Sequence, residues 1–216
     1  MSERHGTNPA NTASSEKRVY RLKERAERQA QTRQRIVDAT VALHQELGPA
    51  ATTVAEIARR AGVSRLTVYN HFPTDGDLFT ACQQQFLSEN PIPDLTPALT
   101  LAQPDEQVRA VLTLLYKSFR RQAPMSAKVL RDRGTLPALD ALLTRTRDAS
   151  IAELTKTLAA GFSATGATGA RLRALIALAL DFSTWQRLTH EGLSDHRAAD
   201  LMADLIACAA GSPSRT

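Results

Sequence analysis

The stretch 53-TVAEIARRAGVSRLTVYNHF-72 carries the signals of two short helices joined by a tight turn. Thr53 and Glu56 match a capping box, in which the threonine hydroxyl caps a free backbone amide and the glutamate reaches back to the first residue. Gly62 can adopt the left-handed backbone conformation that such a turn needs, and Ser64 is a natural N-cap for the second helix. The apolar face of the first helix consists of Val54, Ile57, Ala58 and Ala61.

A third helix is predicted just before this pair. Its apolar residues recur at helical spacing and are Ile36, Ala39, Leu43 and Leu47. Gly48-Pro49 ends this helix. In the last of the three helices, Val68 and Phe72 lie on the core side, and Pro73 prevents the helix from continuing. Three short helices with a three-residue corner between the last two predict a helix-turn-helix head.

The opposite side of the last helix carries polar groups that are suited to reading DNA. These side chains are Arg65, Thr67, Asn70 and His71. An arginine can fork onto guanine, an asparagine can pair with adenine, and a threonine methyl can contact thymine. The hydroxyls of Tyr69, Ser64 and Thr53 can reach phosphates. We therefore predict that this helix lies in the major groove of DNA.

The positive charge of the chain is concentrated near its amino terminus. The 216 residues carry a net charge of +5; residues 1–73 hold 12 Lys/Arg against 7 Asp/Glu, whereas residues 74–216 hold 15 of each. The segment 17-KRVYRLKERAERQAQTRQR-35 is either a solvated helix extension or a basic arm that follows phosphates. We favour the arm because the positive excess is so local. Residues 1–15 are rich in Ser, Thr and Asn and are predicted to be disordered.

The rest of the chain is predicted to be an all-α bundle that shares a helix with the head. It shows helical periodicity, no strand-like alternation and no fixed-period repeat. The expected division is an amino-terminal arm at 1–31, the head at 32–79, the bundle at 80–210 and a tail at 211–216. The predicted helices of the bundle are Asp77–Ser88, Asp105–Gln122, Ser126–Arg131, Pro137–Phe162, Arg171–His190 and Asp195–Ala209.

One known protein family has a similar pattern. The similarity is carried by 32-TRQRIVDATVALHQELG-48, 52-TTVAEIARRAGVSRLTVYNHF-72 and 73-PTDGDLF-79. Through these segments the sequence resembles the TetR family of transcriptional repressors. A weaker likeness lies in 182-FSTWQRLTHEGLSDHRAADL-201, which is similar to the last two helices of many such regulators. The resemblance implies a homodimer with a DNA-reading head and an all-helical body that carries a small-molecule pocket.

The resemblance also implies which residues contact DNA. Carried over by position, the recognition-helix contacts are Arg65, Leu66, Thr67, Tyr69, Asn70 and His71. Thr53 matches a backbone contact, and Ser64 and Arg33 complete the predicted DNA-binding set. Two positions depart from the family pattern. Asp75 stands where many members have a lysine that contacts phosphate, so we expect it to repel phosphate. His44 stands where a large aromatic often packs, and we expect a core histidine with a hydrogen-bond partner.

The resemblance further implies pairing through the last two long helices, at about 171–190 and 195–209. One stripe of small and apolar residues on each is interpreted as the dimer seam, the alternative being an ordinary core within one protomer. The two stripes are Leu172, Ile176, Ala179 and Ser183, and Ala198, Met202, Leu205 and Ala209. A cavity for a small-molecule effector is predicted in the body. Its predicted lining residues are Tyr116, Phe119, Met125, Asp181, Phe182 and Trp185.

Other classes of protein are disfavoured. The longest apolar run, Ala174 to Leu180, is far shorter than a membrane span, and no signal peptide is visible, so the chain is expected in the cytoplasm. Cys82 and Cys208 fit no metal or redox spacing. Without a catalytic or cofactor motif, no enzyme, metal or cofactor is expected. The one polar cluster of interest is interpreted as a solvated turn and consists of His190, Glu191, Asp195 and His196.

The predicted function is therefore a dimeric, sequence-specific transcriptional repressor that a small-molecule effector releases from a palindromic DNA operator. Two alternatives stay open. A DNA-binding regulator without an effector would have the same head. A sequence-blind binder would bind all duplexes, with a steep salt dependence and no preferred site.

Overall fold

The structure, a computed structural model, describes residues 9–211. They form α-helices without any β-strand, which confirms the all-α prediction for the described chain. Within this range, none of the helices combines the length and apolarity of a membrane span. The helices are α1 (Pro9–Glu46), α2 (Val54–Ala61), α3 (Arg65–His71), α4 (Asp75–Glu89), α5 (Thr96–Leu99), α6 (Pro104–Asp132), α7 (Pro137–Leu143), α8 (Ala149–Ala160), α9 (Gly166–Leu180), α10 (Phe182–His190) and α11 (Asp195–Ala209).

In the head, four helices pack around one hydrophobic core. These are α2, α3, α4 and the second half of α1. Val68 and Phe72, predicted on the core side of α3, are only 1% and 3% exposed. Leu47 is exposed instead of buried, because α1 already ends at Glu46. The core continues along α4 beyond residue 79 and includes Met125 of α6, so head and body share more than a linker.

The first helix is much longer than the head requires. It spans 38 residues and includes the whole basic segment 17–35. The prediction of disorder is therefore wrong for residues 9–15, and residues 1–8 lie outside those described. The helix can extend so far because no glycine or proline occurs between residues 10 and 47. Exposed pairs at i,i+4, such as Lys23 with Glu27 at 4.0 Å, give it modest further support.

The central helix of the body is α6, which packs against α11, α5 and α1. Two helices with a break around Pro124 were expected here, but one 29-residue helix passes through this proline. A proline inside a helix removes one backbone hydrogen bond and costs ~3 kcal/mol. Tertiary packing outweighs that cost, because Tyr116 is buried in the body core before the proline and Met125 in the head core directly after it.

Two other predicted helices are interrupted. The segment predicted as Pro137–Phe162 consists of α7, a π-helical turn at Thr144–Asp148, and α8. The segment predicted as Arg171–His190 begins earlier, at Gly166, and is broken between α9 and α10. At the break, Asp181 has extended backbone and its carboxylate accepts a hydrogen bond from the Ser183 amide at 2.7 Å. An aspartate N-cap leaves the apolar periodicity around it unchanged, so the pattern does not reveal the break.

Most residues predicted to form a dimer seam lie inside the protomer instead. These buried residues, for which the seam prediction is wrong, are Leu172, Ile176, Ala179, Ala198 and Met202. They face the body core because α9 and α11 pack on each other and on α6. The two helices expose a different apolar face, on which Leu178, Leu201 and Leu205 are 53%, 40% and 48% exposed. Of the predicted seam residues, Leu205 and Ser183 are exposed and Ala209 is half-buried.

Candidate DNA-binding interface

The turn between α2 and α3 has the capped geometry that the sequence predicts. The Thr53 hydroxyl accepts from the Glu56 amide at 3.2 Å, and Gly62 has a φ of +66°, in the left-handed region. The Ser64 hydroxyl accepts from the amide three residues later at 3.0 Å. One detail differs, because the Glu56 carboxylate bonds to Arg59 instead of completing the capping box. These local bonds hold α2 and α3 in a fixed relation.

The predicted contact residues of α3 lie away from its core side. Leu66 and Tyr69 are 68% and 51% exposed. Thr67 is half-buried, with its hydroxyl 2.8 Å from that of Ser64. The remaining members of the set, exposed or half-buried, are Arg65, Asn70 and His71. The fold therefore presents this face to solvent and keeps the head core behind it.

Two further residues border α3. Arg33 lies with its guanidinium carbon 4.8 Å from the centre of the Phe72 ring, a cation–π contact that holds its charge beside the end of α3. Asp75 is exposed in the first turn of α4. The start of α4 is fixed by Thr74 and Asp77, each of which accepts a hydrogen bond from the backbone amide of the other at 3.1 Å. An exposed carboxylate at this edge would face any phosphate that lies there.

The net positive charge of the chain arises before and within the first part of α1, in residues 1–35. Residues 1–35 contain nine Lys/Arg and four Asp/Glu, which equals the excess of five in the whole chain. The two arginines of α2 have acidic partners, since Arg59 bonds to Glu56 at 3.1 Å and Arg60 bonds to Glu46 at 2.6 Å. The positive potential is therefore carried by the amino-terminal extension.

Five arginines of α1 share one helix face because they recur at intervals of three, four and seven residues. All five are exposed, and we call them the arginine stripe: Arg18, Arg21, Arg25, Arg28 and Arg35. Its last member lies beside the turn, because Arg35 Nη1 is 3.8 Å from the position that a Cβ on Gly62 would occupy. The spacing is visible in the sequence, but only a continuous helix turns it into one surface.

A clasp of hydrogen bonds joins the end of α6 to the end of α1 and to the loop that follows it. It consists of Ala50 N to Asp132 Oδ2 at 3.0 Å, Arg131 Nη2 to Leu47 O at 3.3 Å, and Lys128 Nζ to Gln45 O. Asp132 is buried, and its hydrogen bond from Arg131 holds the pKa of this carboxyl below its usual range. The clasp ties the position of the head to the central helix of the body.

His44 is a core histidine with a partner, as predicted. It is 3% exposed, and its Nδ1 lies 3.4 Å from the Sγ atom of Cys82. Burial lowers the pKa of His44 to about 4, although the negative charge of Asp132 acts in the opposite direction. Burial raises the pKa of the Cys82 thiol to about 12. Both side chains are therefore uncharged at neutral pH.

The residues predicted to line an effector cavity do not come together in one place. Four of them pack as an aromatic cluster with ring centres 5.2 to 6.0 Å apart, namely Tyr116, Phe119, Phe182 and Trp185. The Tyr116 hydroxyl donates to a backbone carbonyl at 2.8 Å, and Trp185 Nε1 donates to Asp195 at 2.9 Å. Met125 packs in the head core, and Asp181 caps α10. Their role in effector binding stays a prediction.

The polar cluster between α10 and α11 has structural partners. Asp195 accepts two hydrogen bonds from Arg120 at 2.7 Å, and Glu191 pairs with Arg187 at 2.6 Å. His196 lies 3.5 Å from Asp200 on the same helix. Over residues 9–211, no group of His, Cys, Asp or Glu is arranged to hold a metal ion.

A helix-turn-helix with a solvent-facing polar second helix, attached to an all-helical body, is the arrangement typical of helix-turn-helix DNA-binding proteins. Comparisons with known proteins agree with this class. The family model described as "Bacterial regulatory proteins, tetR family" matches residues 36–82. This match covers the helix-turn-helix, so the head of this chain resembles that of tetR-family regulatory proteins.

Individual relatives match over different lengths. The HTH-type transcriptional regulator AcrR of Shigella flexneri is 40% identical over 65 residues, which are 30% of this chain and only 29% of that relative's length. A TetR-like transcriptional regulator from Rhodococcus sp. RHA1 has a similar structure, with a TM-score of 0.59 and 26% identity over 84% of this chain and 97% of that one. A tetR-family transcriptional regulator from Streptomyces coelicolor has a TM-score of 0.54 and 20% identity, over 82% of this chain and 81% of that one. This similarity shows that the two proteins share a fold.

Proposed function

We propose that this protein is a sequence-specific transcriptional repressor that binds its DNA operator as a homodimer and leaves it when a small molecule binds the body. The observation that carries the proposal is the polar face of α3, which a capped turn and a buried core side hold toward solvent. A helix of this kind fits the major groove. We expect Arg65 to read a guanine and Asn70 to read an adenine.

The proposed dimer forms through the exposed apolar face of α9 and α11. Leu201, Leu205 and Cys208 recur at helical spacing and are all exposed, and Leu178 is exposed on α9. A contiguous apolar stripe on a protein surface indicates an interface. A two-fold dimer would set two α3 helices in successive major grooves, about 34–36 Å apart, so we expect a palindromic operator.

The test begins with recovery and sequencing of the genomic fragments that the protein binds, which identifies the operator. Arg65→Ala and Asn70→Ala are then each expected to weaken operator binding by about 1–3 kcal/mol and to relax the preference at one base position. Arg187→Ala changes an exposed arginine of the body and is expected to leave the affinity unchanged. An equal loss on every DNA sequence would mean that Arg65 and Asn70 read no base.

The proposal includes a second interaction with DNA, made by the arginine stripe. The stripe continues the helix that supports the turn and holds most of the arginines responsible for the positive excess of the chain. A rigid row of guanidinium groups suits the phosphates that flank the bases read by α3. This interaction would add affinity and salt dependence without adding sequence preference.

Replacement of four stripe arginines by glutamine is expected to flatten the dependence of log affinity on log salt by about 0.9 for each phosphate that the protein no longer neutralises. The four are Arg18, Arg21, Arg25 and Arg28. A matched control removes four exposed positive charges of the body, those of Arg121, Arg145, Lys156 and Arg187. Both variants change the net charge equally, so equal salt slopes for the two would contradict a local role of the stripe. Circular dichroism verifies that α1 stays helical.

A further inference from the structure

A cleft of about 500 Å³ lies between α8 and α9 in the body. Its volume is within the range of small-molecule sites. The apolar part of its lining consists of Ile151 and Ala152 of α8 and Ala174 and Ala177 of α9. Small side chains on both facing helices leave this space open. The cleft is separate from the packed aromatic cluster described above.

Arg147 stands at the polar end of the cleft, in the π-helical turn between α7 and α8. Its Nη2 atom is enclosed, yet it has no hydrogen-bond partner among residues 9–211. Oδ2 of Asp181 is 3.6 Å from this atom, too far for a hydrogen bond. An enclosed donor without an acceptor is unfavourable, and a small turn of the side chain toward the cleft would let a ligand oxygen satisfy it. π-helical turns are also frequent at functional sites.

Two carboxylates stand at the polar end, and each lies 3.6 Å from a guanidinium nitrogen of Arg147: Asp148 from Nη1 and Asp181 from Nη2. Both oxygens of Asp148 accept from Arg133, at 3.1 and 2.6 Å, and these bonds hold the pKa of Asp148 below its usual range. One oxygen of Asp181 accepts from the first turn of α10. Arg173 of α9 adds a second guanidinium group to the lining. Arg173 forms no ion pair among the described residues, so its positive charge is left for an anion at the polar end.

We propose that this cleft binds the effector, and that the effector is a small amphipathic carboxylate. Its carboxylate would accept hydrogen bonds from Arg147 and Arg173, since guanidinium groups bind carboxylates in a planar, two-pronged geometry. Its apolar portion would lie along the alanines and Ile151. This inference rests on the proposed function, which requires an effector site in the body.

The structure provides a route from this site to the head. Thr146, next to Arg147 in the π-helical turn, accepts a hydrogen bond from Gln83 of α4 at 3.1 Å. Gln83 directly follows Cys82, which is part of the head core. A ligand that draws Arg147 into the cleft would move the turn against α4. It would favour a dimer geometry in which the two α3 helices no longer match the operator spacing.

The binding test uses octanoate as the probe and octanamide as its uncharged counterpart, in calorimetric titrations of the full chain. We expect octanoate to bind at least roughly tenfold more tightly than octanamide, and Arg147→Gln to remove that difference. Arg145→Gln, two residues earlier and exposed, is the matched control and should bind octanoate as the wild type does. Ala152→Phe fills the cleft without changing charge and should abolish binding of both probes.

The proposal is overturned if octanoate does not bind, or if Arg147→Gln and Ala152→Phe both bind it like the wild type while remaining folded in circular dichroism. Operator retention, measured in the same preparations, separates this outcome from failure of the proposed function. Specific operator binding without octanoate binding removes the cleft proposal alone. Octanoate binding that leaves operator affinity unchanged supports the site and contradicts release by this ligand.

Discussion

Replacement of Gly48 by alanine is expected to lower the free energy of unfolding by about 2–5 kcal/mol. Gly48 has a φ of +94°, which strains any L-residue by about 1–2 kcal/mol. A Cβ there would also lie 2.5 Å from Arg131 Nη2 and 2.6 Å from Asp132 Oδ2, so two members of the clasp would have to move. Loss of the Asp132 bond would leave the Ala50 amide without its acceptor, at a further cost of about 1–3 kcal/mol.

Gly192 offers a matched control for this prediction. Its φ of +90° imposes nearly the same backbone strain, but a Cβ there would meet nothing within 4 Å among the described residues. Gly192→Ala is therefore expected to cost only about 1–2 kcal/mol. Urea unfolding of both variants measures the difference. Equal losses would mean that the clasp adds no stability to the junction between head and body.

Acidification is expected to destabilise the protein through His44 by about 2–3 kcal/mol between pH 7 and pH 4.5. The ordinary pKa of histidine is near 6.5, and burial lowers the pKa of His44 to about 4 in the folded state. Between these two values the unfolded chain binds a proton that the folded chain does not. The stabilising contribution of neutral His44 is therefore complete above pH 6.5 and is lost progressively as the pH falls toward 4.

The measurement compares unfolding free energies of the wild type and His44→Leu at several pH values from 7 to 4.5. The variant cannot take up this proton, so its stability is expected to fall less steeply over that window. His190→Gln, at an exposed site on α10, is the control and should follow the wild type. Parallel curves for the wild type and His44→Leu would show that His44 is not the group that titrates.

The signals at the helix-turn-helix are readable because they are local. The caps at Thr53 and Ser64 and the left-handed Gly62 each act over a few residues, so their types and spacing are enough. Local signals give the wrong answer at Pro124. Proline predicts a break in the helix there, but the packing of α6 against two separate cores keeps it continuous. At Asp181 the opposite happens, because a local N-cap interrupts a helix whose apolar pattern continues past it.

The candidate surfaces show a similar division. Basic residues of α1 are recognisable from composition, but a single arginine face exists only because the helix is continuous from Pro9 to Glu46. The sequence does not single out Arg147 as a candidate ligand-binding residue. It became one because its Nη2 atom is enclosed without a hydrogen-bond partner among the described residues, and because it lines a cleft. Neither property follows from residue type.

Sequence information alone was sufficient for the helical class, the capped head and the polar face of α3, because hydrogen bonding and helical periodicity operate between near neighbours in the chain. Contacts between distant segments were needed to show which apolar side of α9 and α11 is buried. Both sides of these helices are apolar, and only packing on α6 distinguishes the buried Met202 from the exposed Leu201 and Leu205. Which apolar face of a helix becomes buried depends on the other helices that pack against it. It is therefore determined only when the whole domain is folded.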